Sequence, residues 1–516
     1  MVINREIREI KRQKRQKRLL FLIGISLSFI ILFSFFLKKY LSFADADQKS
    51  SCNKDLLLIP PYATKTPRAT ILDRAGAVLA ISQKRALVYA IPGQISDLLD
   101  TTKELSASLD ISKNKLFNLL NSSHSLCIIK DNLKLSTAKA ISNLNLPGIG
   151  ISYYYIRKYP YKRLAENVIG RIGPSGQGVS GIEYSYNKIL ENDVPKNLTI
   201  GLDLNIESAS QRLLKWQMAR LRATSGCFLL MNIKDGSLIA MSSYNRHRWH
   251  FSENDFALKA KVSPVIMWPI LKIVFMDKDQ LQDQILCSDK SWQALDTTSQ
   301  HIAFWAPSSL KFDPNNVSNC KNIVSILASL GFGQKTGIDL PGEEAGYITP
   351  ISKCSLNPLV FKDTRVSPIQ LLVAFSKILS DHSNIVPHVV INKEISNKGV
   401  SPLFPKDKID ALIKAISEGH GISLASIVLK NGSDSRLANS KNPAQVVALG
   451  FYPTKDPQVV YVLVLNDAKR DPRYIKGVLA QSYLIAQRAT RNLLAQKLIK
   501  KRLGSFWASI NTDKDS

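Results

Sequence analysis

Acidic side chains and histidine are scarce in this 516-residue chain: 41 Asp and Glu face 69 Lys and Arg, with 7 His, for a net charge of +28. The six cysteines, Cys52, Cys127, Cys227, Cys287, Cys320 and Cys354, lie far apart, with no C-x-x-C pair and no histidine at ligand spacing. Neither a metal centre nor a cofactor is therefore expected. Their pairing is not legible, although the apolar neighbours of Cys127 and Cys227 suit buried thiols. A second basic run to match the one at the N-terminus is also missing. Basic residues are otherwise spread through helices and loops, which argues against nucleic acid as a partner and for a solvated, Lys-rich surface.

What the N-terminus does contain is Arg5, Arg8, Lys11, Arg12, Lys14, Arg15, Lys17 and Arg18, followed by an uncharged apolar run from Leu19 to Leu37. At about 1.5 Å per helical residue that run covers roughly 28 Å, the thickness of a bilayer's hydrocarbon core. The basic flank predicts a cytoplasmic N-terminus and an exported body, anchored in the inner membrane by a single pass. Lys38-Lys39-Tyr40 stands where a signal peptide would carry small residues, and Ala44-Asp45-Ala46 is a weak cleavage candidate, so an uncleaved anchor is the expectation. Anionic lipid head groups and carboxylate-bearing wall peptides are the electrostatic partners that fit the charge.

Beyond the anchor, Pro67 to Ala80 predicts two short strands around an Asp-Arg-Ala-Gly turn, and residues 94–145 have helical periodicity up to Leu146-Pro147-Gly148. Gly150 to Tyr161 predicts a strand, and Leu204 to about Arg222 a long helix. Strands are expected at Cys227–Ile233 and Ser237–Ser242, joined at Asp235-Gly236, and again at Gln445–Phe451 and Val459–Leu465. An amphipathic helix over 478–503 ends in Lys500-Lys501-Arg502. The fold class is α+β, with a sheet that collects both ends of its own sequence.

Several segments resemble, in order, the class B penicillin-binding proteins, the anchored D,D-transpeptidases that crosslink peptidoglycan. Arg68-Ala69-Thr70-Ile71-Leu72-Asp73-Arg74-Ala75-Gly76 is similar to the family's R-G-x-I-x-D-R-N-G box. Tyr159-Pro160-Tyr161, Leu164-Ala165, Val168-Ile169-Gly170 and Gly181-Ile182-Glu183 resemble its other pedestal elements. In the transpeptidase part, Thr199-Ile200-Gly201, the hairpin Lys234 to Met241, the run Leu330 to Glu343 and Val366-Ser367-Pro368-Ile369-Gln370 keep the family's order. The resemblance implies an N-terminal transmembrane helix, an elongated pedestal domain, and a transpeptidase-like domain with a central antiparallel sheet flanked by helices. The boundaries it implies are a basic segment 1–18, an anchor 19–37, a pedestal 38–198, a transpeptidase-like domain 199–504 and a polar tail 505–516.

Acyl transfer needs a nucleophile, a group to take its proton, and donors for the oxyanion. The family supplies them with Ser-x-x-Lys at a helix start, Ser-x-Asn, and Lys-Thr-Gly on an edge strand that pairs with the substrate backbone. Aligned from the preceding hairpin, the first motif falls on Ile266-Met267-Trp268-Pro269, with Ile266 at the nucleophile position and Pro269 at the lysine position. Neither side chain attacks a carbonyl or accepts a proton. Taking Ser263 as nucleophile puts Ile266 in the lysine place. Ser-x-Asn falls near Ala306-Pro307-Ser308 and is absent. The third motif survives in part as Lys430-Asn431-Gly432, so Lys430 and Gly432 are the candidate substrate-binding residues.

Ser136-Thr137-Ala138-Lys139 and Ser308-Ser309-Leu310-Lys311 satisfy Ser-x-x-Lys out of place, and Ser308 with Lys311 is the one alternative nucleophile pair. His247 and His250 fall in a loop. The expectation is a catalytically inactive homologue, structural or regulatory in peptidoglycan synthesis or cell division. Its implied partners are a membrane-embedded glycan polymerase, divisome or elongasome proteins and peptidoglycan stem peptides. The alternative is an active transpeptidase with a displaced serine.

Overall fold

The computed structural model describes Pro60 and residues 63–123, 125–192, 197–246, 255–267, 270–271, 290–297, 300–307, 318–319, 323–348, 355–356, 364–380, 384–391, 401–417, 424–429, 444–469 and 476–512. The expected membrane helix over 19–37 and the basic segment before it lie outside these residues. Among the described residues, no helix is long and apolar enough to cross a membrane.

Strand β3 (Val78–Ala90), buried at Leu79-Ala80 and again from Ala86 to Val88, is the spine of the first domain. It pairs antiparallel with β5 (Ile149–Lys158) from Ile81↔Lys158 to Ala90↔Ile149. The short strands β1 (Ala63–Thr64), β2 (Ile71–Leu72) and β6 (Leu198–Thr199) complete the order β1-β5-β3-β2-β6, with β2 and β6 parallel. Helices α1 (Leu98–Leu109), α2 (Lys113–Ser122) and α3 (Leu135–Asn143) bury Leu105, Leu109, Leu116, Leu120, Ala138 and Ile141 against this spine. The stretch expected to be helical over 94–145 also contains a strand, β4 (Cys127–Leu133), which pairs with β3. Its apolar run is too short to set a period, and pairing with the spine decides its conformation. Cys127 is half-buried and carries a free thiol.

The Asp73 turn closes as the sequence implies. The Asp73 carboxylate accepts from the Ala75 and Ala77 amides at 2.8 and 2.7 Å, and Gly76 takes φ +91°. The neighbouring Arg68 is the centre of a buried charge network. Its guanidinium meets Glu183 at 2.9 Å and Glu191 at 2.7 Å, and Arg157 closes on the other Glu183 oxygen at 2.7 Å. Arg68 also donates to the Gly176 carbonyl and to Asn187 Oδ1, each at 3.0 Å. Residues 108 to 123 positions apart from Arg68 are thereby tied to one side chain.

The second domain is built on a seven-stranded antiparallel sheet. In chain order its strands are β7 (Ser225–Asn232), β8 (Leu238–Asn245), β9 (Lys290–Thr297), β10 (Gln300–Pro307), β13 (Leu424–Leu429), β14 (Ala444–Tyr452) and β15 (Val459–Ala468). Across the sheet they run β8-β7-β15-β14-β13-β10-β9. The strands at both sequence ends of the domain are central neighbours, β15 pairing with β7 from Val459↔Asn232 to Asn466↔Ser225. These two strands are buried on both faces, as expected of a sheet covered on both sides.

Two cores lie against the sheet. One packs α7 (Leu204–Leu221) and α12 (Lys476–Thr512) on Phe228, Leu230, Tyr461 and Leu463. The other packs α10 (Pro368–Leu379) on Leu229, Val462 and Val464 from the opposite face. Sequence marks both helix starts: the Asp203 carboxylate caps α7, accepting from Asn205 and Ile206, and Ser367 with Gln370 forms a capping box on α10. Helix α12 runs to Thr512, through most of the stretch expected as a polar tail.

Candidate functional site

The strongest sequence signature, Leu330 to Glu343, folds as a loop held by its own carboxylates. Glu343 accepts from the Thr336 amide at 2.7 Å, the Thr336 hydroxyl at 2.6 Å and the Gly337 amide at 3.2 Å. Gly331, Gly333, Gly337 and Gly342 all have positive φ, which L side chains rarely adopt. Asp339 accepts from the Val389 and Val390 amides at 2.7 and 3.0 Å and from the Tyr186 hydroxyl at 2.9 Å. Tyr186 comes from the first domain, so the motif is a bracket between domains as well as a loop. Beside the Asp339 carboxylate, Tyr186 has its phenol pushed above the ordinary range, by burial first and by that negative charge second.

The candidate nucleophile frame lies behind the sheet. Val262 bridges Val366 with amide–carbonyl bonds of 2.9 Å in both directions. The Ser263 amide donates to Gln445 Oε1 at 2.9 Å, which fixes the following turn against β14. Pro264–Ile266 is a single 3-10 turn packed on β13 and β14. Ile266 is fully buried, and Met267, Ile270 and Leu271 share its core. At the expected nucleophile position the structure has a hydrocarbon side chain sealed from solvent. Pro269 lies outside the described residues.

Ser263 does not replace it. Its hydroxyl is buried and has no hydrogen-bond partner among the described residues, so no base stands ready to take its proton. Ser136 and Lys139 are exposed on α3 in the first domain, remote in the fold from the sheet. Ser308, Lys311, Lys430 and Gly432 lie outside the described residues, as do His247 and His250. Ala306 and Pro307, near the expected Ser-x-Asn position, end β10 opposite Ser291 and Lys290.

The environment of the third motif is set by β13, which runs directly up to Lys430. One edge of β13 pairs with β14 from Leu424↔Leu449 to Leu429↔Ala444. The other edge pairs with β10, at Ile302↔Val428, Ala303↔Ile427, Phe304↔Ser426 and Trp305↔Ala425. Strand β10 in turn pairs with β9 along its whole length. The edge that an extended substrate would join is thus occupied by the chain itself, up to two residues short of Lys430.

Sequence reasoning missed this hairpin. Its signal was present in Trp292, Ala294, His301, Ala303 and Trp305, which recur at two-residue spacing on either side of the polar run Asp296 to Gln300. Among the described residues, no group of His, Cys, Asp or Glu is arranged to hold a metal ion.

Two family signatures fall within these two domains. Residues 63–201 match the penicillin-binding protein dimerisation domain and residues 311–492 the penicillin-binding protein transpeptidase domain. The chain carries a penicillin-binding protein dimerisation domain followed by a penicillin-binding protein transpeptidase domain and is homologous to class B penicillin-binding proteins. It is 24% identical over 487 residues to stage V sporulation protein D of Bacillus subtilis, an overlap covering 77% of this chain and 74% of the relative. It is 20% identical over 492 residues to the peptidoglycan D,D-transpeptidase FtsI of Escherichia coli K12, covering 81% and 82% of the two chains.

Two solved structures share the fold. A peptidoglycan synthetase from Bifidobacterium adolescentis superposes with a TM-score of 0.60 at 17% identity, covering 85% of this chain and 96% of that one. The penicillin-binding protein PBP2 of Helicobacter pylori, solved in complex with MreC, gives 0.55 at 16% identity, covering 82% and 98%.

Proposed function

We propose that this protein is a membrane-anchored class B homologue with a silent transpeptidase centre, serving a peptidoglycan-synthesis or division complex as a structural or regulatory partner. Its anchor is the single apolar run Leu19 to Leu37, with the body outside the cytoplasm. The observation that supports the reading is the burial of Ile266: the residue expected at the nucleophile position is a fully buried hydrocarbon, in a turn packed on β13 and β14. The pairing of β10 on β13 supports it, because a substrate peptide would have to displace a strand to add to that edge. The pedestal, by contrast, keeps its Arg68–Glu183–Arg157 network and its junction to the second domain.

The relatives named above act as peptidoglycan D,D-transpeptidases or in sporulation, and PBP2 of Helicobacter pylori assembles with MreC. A membrane-embedded glycan polymerase and elongasome or divisome scaffolds are accordingly the partners proposed for this chain. Incubation of the exported body with a fluorescent β-lactam tests the reading. No covalent label is expected. Labelling that disappears in Ser308→Ala would overturn it in favour of a displaced nucleophile.

A further inference from the structure

The spine of the first domain has a gap in its pairing. The ladder of β3 with β2 stops at Ala80 and its ladder with β4 begins at Ala86, so residues 81–85 pair with β5 alone. Strand β4 leaves β3 at Leu133, and the chain turns at Lys134 into α3. A cavity of about 650 Å³ lies at this notch, lined by residues 81–85 of β3, by Lys134 and Leu135 at the start of α3, and by Lys158 at the end of β5. Lys84, Arg85, Lys134 and Lys158 put four cations on its wall, and no lining residue is acidic.

Register brings these cations together. Ile81 and Lys158 are cross-strand partners, which sets Lys158 at one end of the gap. Leu133, paired with Ala86, delivers Lys134 to the other end. Lys84 Nζ is held 5.0 Å from the centre of the Tyr153 ring. Arg85 donates from Nη2 to Gln83 Oε1 at 2.8 Å, but its Nε is buried and has no hydrogen-bond partner among the described residues. Buried donors are nearly always paired, so an unpaired one on a cavity wall marks the place of an acceptor. Helix α3 adds donors of its own. Its N-cap, Lys134, makes no side-chain cap bond and its first turn holds no acidic residue, so nothing local offsets the positive end of its dipole.

A ligand that satisfies this wall carries several oxygens and more than one negative charge. Phosphoryl oxygens accept at once from ammonium, guanidinium and helix N-terminal amides, which is the donor set present. The cavity falls in the range of small-molecule sites, about 300–1,000 Å³, and is larger than a bare ion fills. Ile81 and Leu135, 38% and 43% exposed, add hydrocarbon to the same wall. We propose that this notch binds the multiply charged phosphoryl group of an organic molecule, either a soluble phosphate or a lipid head group. The site is independent of whether the transpeptidase centre is active, so its test and the β-lactam experiment fail separately.

Hydrogen–deuterium exchange on the full chain in phosphatidylcholine nanodiscs tests it. Inorganic pyrophosphate is the soluble probe, and phosphatidic acid added to the bilayer is the head-group probe. One of them should slow the amides of 81–85 and 135–137 by about tenfold near saturation. Slowing by pyrophosphate assigns a soluble ligand, and slowing by phosphatidic acid alone assigns a head group. Lys134→Gln with Lys158→Gln, both at exposed positions, should remove the slowing while leaving probe-free exchange in β3 and β5 unchanged. Arg85→Lys keeps the charge, lacks the Nε donor and should weaken the effect. Absence of slowing with both probes overturns the proposal, as do equal slowing by citrate at the same ionic strength and slowing that survives these variants.

Discussion

Asn492 and Asp203, 289 positions apart, are joined by a hydrogen bond of 2.9 Å from the Asn492 amide to Asp203 Oδ2. The other Asp203 oxygen caps α7, so one carboxylate fixes the start of one helix and the register of another. Loss of a bond to a charged acceptor costs about 1.5–3 kcal/mol. Asn492→Ala should destabilise the protein by that amount in chemical denaturation and speed amide exchange in the last turns of α12. Exchange restricted to its former rate would mean that packing alone sets the register.

Glu183 holds two buried guanidinium groups, and removing it leaves Arg157 without its anion and Arg68 with only the exposed Glu191. Breaking a buried pair of this kind costs about 3–5 kcal/mol. Glu183→Ala is expected to lower the urea midpoint accordingly and to unfold the first domain ahead of the second. A cost below about 1 kcal/mol would place the network at the level of a surface ion pair.

Restoring the missing hydroxyl should not restore chemistry. Ile266→Ser removes core hydrocarbon and buries a polar group, for about 3–5 kcal/mol of destabilisation. The variant should remain unlabelled by a β-lactam, since serine alone supplies neither a base nor an opening to solvent. Acylation of this variant would show that the turn opens readily.

Burial raises the Glu207 carboxyl above its ordinary value, opposed by hydrogen bonds from Ser242, the Met241 amide and Gln211. A folded-state value above the unfolded one means that the folded protein keeps this proton to higher pH. The group's contribution is complete below the unfolded value, about 4.3, and is lost as pH rises through the folded value. Glu207→Gln retains an acceptor for Met241 and should flatten the decline in stability above about pH 4.3. Denaturation series at several pH values on both proteins would reveal the difference, and parallel curves would dismiss it.

Strand β10 shields β13, whose outer edge would otherwise be free. Replacing residues 290–307 with a short Gly-Ser link should expose that edge and promote self-association through strand pairing. Sedimentation velocity would detect the shift from the parent's state. An unchanged sedimentation coefficient would mean that other chain segments cover the edge.

Much of the frame was legible because it rests on local rules. The hairpin at Asp235-Gly236 and the helix Leu204–Leu221 follow from turn chemistry and period, and the structure reproduces them within a few residues. The strands β4, β9, β10 and β13 were not anticipated. Strands β4 and β13 are short and take their conformation from pairing with a neighbour, whereas β9 and β10 do carry a two-residue alternation of their own. The same limit hid the site's occlusion: β10 lies against β13 although more than a hundred residues separate them.

By itself, the sequence puts Ile266 and Pro269 where alignment to the family's frame expects a nucleophile and a lysine, a reading that needs only residue identity and no fold. It also determined the domain order, through motifs whose glycines, caps and turns act over a few positions. Only the tertiary structure decided that Ile266 is sealed in a core, that the outer edge of β13 is already paired by β10, and that α12 meets the start of α7 through Asn492 and Asp203. Burial and strand pairing are relations between residues far apart in the chain, so no local pattern encodes them until the chain has folded.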